Sequence, residues 1–151
     1  MAMSYKLCVE MGKITKFEVG LKMVKKELDI GKNDLQAANE SLTTGGFKWA
    51  TIQGYYAFFH AVRSLLFLRK FREKSHRCLR ESLKVLYIDK GLVPPEYYDK
   101  FAVAMDLRES ADYKSIYSKK DALLVISDAK AMIEIAEQLI LETPENPEKN
   151  K

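Results

Sequence analysis

Three polar side chains share one face of an otherwise apolar stretch. Within Trp49–His76, WATIQGYYAFFHAVRSLLFLRKFREKSH, Tyr56, His60 and Arg63 fall at i, i+4 and i+7, a single helical stripe. Tyr55, Phe59, Val62 and Leu66 form the adjoining face. A helix this apolar is expected to be central and buried. A cation on it needs a partner, because an unpaired buried charge is strongly unfavourable. Arg108 is the second candidate. It follows Phe101, Ala104 and Met105 at helical spacings, and Asp112 comes four residues later. One reading is a surface Arg–Asp pair worth a few tenths of a kcal/mol. The other is a guanidinium turned into a cleft beside the central helix. Its planar fork there suits phosphate or carboxylate, with Ala111, Asp112 and Tyr113 shaping the walls.

A third feature is a basic run. Residues 69–84 hold Arg69, Lys70, Arg72, Lys74, Arg77, Arg80 and Lys84 against Glu73 and Glu81. Such a run suits a phosphate-bearing or acidic partner. It also fits a solvated helix end and loop.

Other chemistries find little support. Dimetal carboxylate bundles require Glu-x-x-His on two helices, and only Glu73–His76 has that spacing. Two histidines and no cysteine cluster argue against a dedicated metal site. No Gly-x-Ser-x-Gly, phosphate-binding lysine loop or Gly-x-Gly-x-x-Gly occurs. No cofactor is expected.

The elements that must position these residues read as helices. Leu21, Val24, Leu28, Leu35, Ala38 and Leu42 form one stripe, with Gly31 inside it marking a kink or a close contact. Thr43–Gly46 reads as a turn. The central helix is expected over about Phe47–Phe71, and Arg72–Ser75 as a loop. Ser75 then caps a helix over His76–Asp89, with Leu79, Leu83, Leu86 and Tyr87 inward. Pro94 and Pro95 open a helix carrying Tyr97, Phe101, Ala104, Met105, Arg108 and Ala111. Ser118 and Asp121 have capping-box spacing before a last helix, Lys119 to about Glu142. That helix shows Ala122, Leu123, Ile126, Ala129, Ile133, Ala136, Leu139 and Ile140. No strand pattern competes. The expected fold is all-α: an up-and-down antiparallel bundle of four to five main helices over residues 18–142. Residues 1–17 form an arm or short helix. Residues 143–151, TPENPEKNK, form a disordered polar tail.

The chain has 151 residues, 47% apolar and 30% charged, with a net charge of +4. That is one domain with a real core. Cys8 and Cys78 form no CxxC and are read as free thiols in a reducing compartment. With no apolar leader visible and no span long enough for a bilayer, a cytoplasmic location and no membrane partner are expected. The high apolar and aromatic content predicts a homodimer covering one face.

Three pieces in order, GYYAFFHAVRSLL, then Ser75–His76, then RESADY at Arg108–Tyr113, resemble the HEPN domain. The similarity is greatest to the small stand-alone archaeal and bacterial members of the UPF0332 group. Ser41, Leu42, Gly46 and Phe47 fit as well. The resemblance implies a helical bundle, commonly a homodimer and often paired with a minimal nucleotidyltransferase, as in toxin–antitoxin or defence systems. Many relatives are metal-independent ribonucleases. Their Arg is followed by His after four to six residues. Arg108 matches that Arg, but positions 113–115 are Tyr, Lys and Ser. Tyrosine, with its ordinary pKa near about 10, is a poor base. The resemblance therefore favours a nucleotide- or RNA-binding interaction module without catalysis. The alternative is an endoribonuclease using Arg108 and His76, and a purely structural dimer lies behind both. The expected cleft gathers Tyr56, His60, Arg63, His76, Arg108, Asp112 and Tyr113, with Asp112 holding a guanidinium and Arg108 solvated.

Overall fold

A computed structural model of the chain describes residues 3–143. A short helix α1 (Tyr5–Glu10) precedes a strand β1 (Ile14–Lys16). The long helices α2 (Gly20–Thr43) and α3 (Phe47–Leu68) follow as a hairpin. Strand β2 (Phe71–Glu73) leads into α4 (His76–Leu83), and α5 (Glu96–Tyr113) and α6 (Lys119–Glu142) complete the bundle. The all-α expectation holds: four long helices form the body, with two shorter ones attached.

Helix α3 is central because it is apolar nearly all round. It packs against α2, α4, α5, α6 and β2. Tyr55, Phe58, Leu65 and Leu66 on it are essentially without solvent contact, beside Phe101 of α5 and Met132 of α6. Close approach sets where α2 crosses α3. A Cβ on Gly31 would come within 3.1 Å of the Ala57 carbonyl oxygen, so this glycine marks tight contact in an unbroken helix. At Gly20 the corresponding distance to the Phe67 carbonyl oxygen is 2.4 Å, which no larger residue tolerates without a shift.

Helix starts follow the caps read from sequence. The Ser75 hydroxyl accepts the Cys78 N–H at 3.1 Å, and the Ser118 hydroxyl accepts the Asp121 N–H at 3.0 Å. Gly45 adopts a φ of +82°, ending the α2–α3 turn in a conformation that favours glycine. Beyond Leu83, α4 widens into a π-helical turn over Lys84–Ile88. The Asp89 N–H that ends it reaches back five residues to the Lys84 carbonyl at 2.8 Å.

Several expectations change. The chain has strands: Ile14, Thr15 and Lys16 pair antiparallel with Glu73, Arg72 and Phe71, so the segment read as a loop is half of a two-stranded ribbon. Helix α3 accordingly stops at Leu68, and Lys70 takes a left-handed φ of +61° to turn into β2. Cys8 and Cys78 are joined in a disulfide across a sequence separation of 70. Leu123, one of the apolar residues of the last helix, is exposed, because α6 turns its Ala122–Ile126 edge to α3. Of the tail, only Thr143 lies within the described residues. There its hydroxyl donates to the Leu139 carbonyl at 2.7 Å.

Candidate functional site

Two polar clusters flank α3, separated by the rings of Tyr56 and Phe59. The first lies toward α2 and β2. Arg63 makes a two-pronged contact with Glu73, Nε to Oε1 at 3.0 Å and Nη2 to Oε2 at 2.6 Å. Its Nη1 lies 3.6 Å from Glu27, and its guanidinium stacks on Phe59 at 4.4 Å. Burial pushes this guanidinium down, but the Glu73 hydrogen bonds and charge, helped by Glu27, outweigh it and raise its pKa. His60 sits between two carboxylates, Nδ1 at 2.6 Å from Glu27 and Nε2 at 3.5 Å from Asp34. Burial raises the Asp34 carboxyl pKa, with His60 opposing. The partner sought for Arg63 is therefore Glu73, with Glu27, and Asp112 is not involved. Arg63 serves an ion network, His60 bonds to the Glu27 of that network, and neither lines the cleft beside α5.

The second cluster lies toward α4 and α5. An open cleft of about 380 Å³ is lined by Tyr55, Ser75, His76, Arg77, Met105, Arg108, Glu109 and Tyr113. His76 Nδ1 is 2.5 Å from the Tyr55 hydroxyl. Its ring lies nearly parallel to Tyr55 and 4.5 Å from that of Phe59. Burial, and then the positive charge of Arg108, lower its pKa, so the imidazole is neutral at pH 7. Burial pushes the Tyr55 phenol well above its ordinary value and keeps it protonated. Because a hydroxyl both donates and accepts, Tyr55 can hold either tautomer of His76.

Arg108 donates from Nη2 to the Tyr56 hydroxyl at 2.9 Å and lies 3.7 Å from Asp112. Its guanidinium sits between the Tyr56 and Tyr113 rings, at 5.4 and 5.5 Å. Its side chain is only 16% exposed, which corrects the expectation of a solvated arginine. Arg108 Nε is buried with no hydrogen-bond partner among the described residues. Tyr113, by contrast, is 73% exposed and offers an open ring face. Arg77 adds an exposed cation and Glu109 an opposing carboxylate. Tyr56, His76, Arg108, Asp112 and Tyr113 thus come together, while His60 and Arg63 stay behind the Tyr56–Phe59 wall.

The basic run does not form one patch. Arg69 stacks on Tyr87 and lines a separate cleft with Lys70. Arg72 stacks on Phe17, and Arg80 stacks on Tyr98 at 3.5 Å while its Nε donates to the Tyr98 carbonyl. Lys74 is exposed, and Arg77 alone reaches the tyrosine-lined cleft. The strand β2 and the bends around it turn these side chains in different directions.

Sequence reading missed Tyr55, which looked like pure core, and Glu73, which looked like loop. Glu27 left a signal. It sits three residues after Val24 and four before Gly31, on the face of α2 that meets α3. A carboxylate there announces a cationic neighbour.

Among the described residues, no group of three or more His, Cys, Asp or Glu is arranged to hold a metal ion, and no helix is long and apolar enough to cross a membrane. A search among curated proteins finds no match to the chain. A family model of the HEPN domain matches residues 24–141, which take in α3 through α5 and nearly all of α2 and α6. The chain belongs to the HEPN domain family.

Proposed function

We propose that the cleft between α3, α4 and α5 binds single-stranded RNA or a nucleotide, and that the protein acts as an interaction module. One observation carries this reading: a mostly buried arginine with an unused N–H lies under an exposed tyrosine ring, at the edge of an open cleft. An arginine fork suits a phosphate oxygen, and an open aromatic face suits a base. Arg77 supplies further positive charge. The test is fluorescence anisotropy with a short labelled single-stranded RNA. Arg108→Ala should weaken binding about tenfold, the scale of one charge-assisted contact. Rising salt should weaken the wild type more steeply than the variant. Equal affinity of the two proteins at every salt concentration refutes the reading.

A second reading, a metal-independent endoribonuclease, draws on His76. A neutral imidazole held by Tyr55 beside a guanidinium suits proton transfer to or from a ribose 2′-hydroxyl. Cleavage in the presence of chelator, lost in both Arg108→Ala and His76→Ala, would establish it and displace the non-catalytic reading.

The wider setting is also part of the proposal. A UPF0332-type member would work as a cytoplasmic homodimer paired with a minimal nucleotidyltransferase in a toxin–antitoxin or defence-type system. Exposed Trp49, Ile116, Tyr117, Leu123 and Leu124 support self-association. Sedimentation showing a monomer at micromolar concentration would refute the dimer. The nucleotidyltransferase rests on the family resemblance, and co-elution with such a protein from the same cell would support it.

A further inference from the structure

We propose that the Cys8–Cys78 disulfide is a redox site that clamps the wall of the cleft, so that reduction loosens His76 and weakens RNA binding. The inference rests on the reading of the cleft given above and assigns its regulation.

The disulfide joins two parts of unequal stability. Cys78 is the third residue of α4, two positions after His76, and its N–H is held by the Ser75 cap. Both Ser75 and His76 line the cleft. Cys8 lies in α1, a six-residue helix that touches only α4 and β1 to any extent. The sulfurs sit in a small cluster of their own with Ile14, bordered by Met3, Tyr5 and Phe71, apart from the main core.

Apart from the disulfide, the arm over residues 3–16 is held by little. It has this small cluster and a three-residue strand pair, extended by Lys74 N–H to the Lys13 carbonyl at 2.9 Å and Phe17 N–H to the Lys70 carbonyl at 2.7 Å. A two-stranded ribbon of this length is marginal by itself. The same ribbon carries Glu73, the residue that Arg63 grips, two positions before Ser75 and three before His76. The arm therefore braces the segment from β2 into α4 from outside, and the disulfide fixes it there.

Both cysteines are fully buried, so a reductant reaches them only when the arm opens. Short, weakly packed elements open locally far more often than a core unfolds. A dithiol reductant supplies the chemistry. One of its thiolates attacks a protein sulfur, the Cys8–Cys78 bond breaks, and a mixed disulfide forms. The second thiol of the reductant then displaces the protein sulfur. Two electrons and two protons pass to Cys8 and Cys78, which end as thiols, and the reductant ends as its own disulfide. In a reducing compartment a protein disulfide is commonly transient and sensing, which suits a clamp of this kind.

The test compares the full-length oxidised protein with the same protein in dithiothreitol. Hydrogen exchange over residues 5–16 and 71–78 should quicken about tenfold or more and be insensitive to low urea, the mark of a locally opened unit, whereas the slowest amides of α2, α3 and α6 should quicken only through the lower global stability and stay sensitive to urea. Affinity for a short labelled single-stranded RNA should fall about tenfold as the wall loses its preorganisation. Cys8→Ser, without reductant, should match the reduced protein in both measurements while keeping the helical circular dichroism of the wild type. Unchanged exchange over residues 71–78 on reduction overturns the clamp. Faster exchange with unchanged RNA affinity overturns its link to the cleft. An oxidised protein that binds no RNA refutes the cleft reading instead, and exchange then decides the clamp alone.

Discussion

Arg63→Ala tests the ion network behind the cleft. The Glu73 side chain is 3% exposed, and both its oxygens are held by the Arg63 fork. Truncating the arginine leaves a buried carboxylate without its partner, which costs about 3–5 kcal/mol in comparable settings. Loss of the stacking on Phe59 adds roughly 0.5–1 kcal/mol. Arg63 is itself 29% exposed, so water entering its place softens the loss and sets the expectation near the lower end, about 3 kcal/mol. The assay is urea unfolding of the oxidised protein at neutral pH. With a denaturant slope of about 2 kcal/mol per molar urea, the midpoint should fall by about 1.5 M. The double variant Arg63→Ala with Glu73→Gln removes both charges and should recover much of the loss, giving, with the Glu73→Gln single variant, a coupling of about 2 kcal/mol. A single-variant loss below about 1 kcal/mol would mean that the pair behaves as a surface salt bridge. Additive losses in the double variant would mean that Arg63 and Glu73 do not depend on each other. Either result refutes the argument.

Reducing the disulfide frees a chain separation of 70 residues in the unfolded state, so stability should drop by about 4 kcal/mol on the chain-entropy account. That corresponds to a melting temperature lower by about 10 °C in calorimetry with reductant, and an unchanged melt would refute it. His76 has a folded-state pKa below its unfolded value, through burial and Arg108. The unfolded chain therefore takes up the proton first. The stability contribution is complete above about pH 6.5 and is lost as pH falls through the folded pKa. His76→Gln should flatten the fall in stability below pH 6.5 relative to wild type, and parallel curves would refute the assignment. Gly20→Ala should destabilise by about 1–3 kcal/mol in urea unfolding, because its Cβ meets the rigid Phe67 carbonyl. A neutral effect would mean that the α2–α3 contact yields more easily than the geometry implies.

The helices were legible because their burial has a period. Val24, Leu28 and Ala38 in α2, Phe101 and Ala104 in α5, and Ile126, Ala129, Ile133 and Ala136 in α6 recur at helical spacing and are buried. The strands were not legible, since ITK and FRE are too short to display alternation. The disulfide had no local signature, as its two cysteines meet only through the fold. In the cleft, the residue types at Arg108 and Tyr113 could be picked out, and the structure brings His76 to them from another helix. The partner of Arg63 was misassigned because Glu73 lies in a polar stretch, where burial leaves no mark on the sequence. The burial of Arg108 is not legible because helical spacing reports only which way a side chain leaves the helix, and the Tyr56 and Tyr113 rings that cover it cannot be counted from spacing.

The distance between Cys8 and Cys78 also bears on how the protein is made. The arm is synthesised before everything it rests on. At common rates of translation, the 70 residues of separation take roughly 4–14 s to add. During that interval on the ribosome, Cys8 carries an unpaired thiol and β1 has no strand to join. A nascent chain is then able to crosslink through Cys8 to a neighbouring chain before Cys78 is there to pair with it.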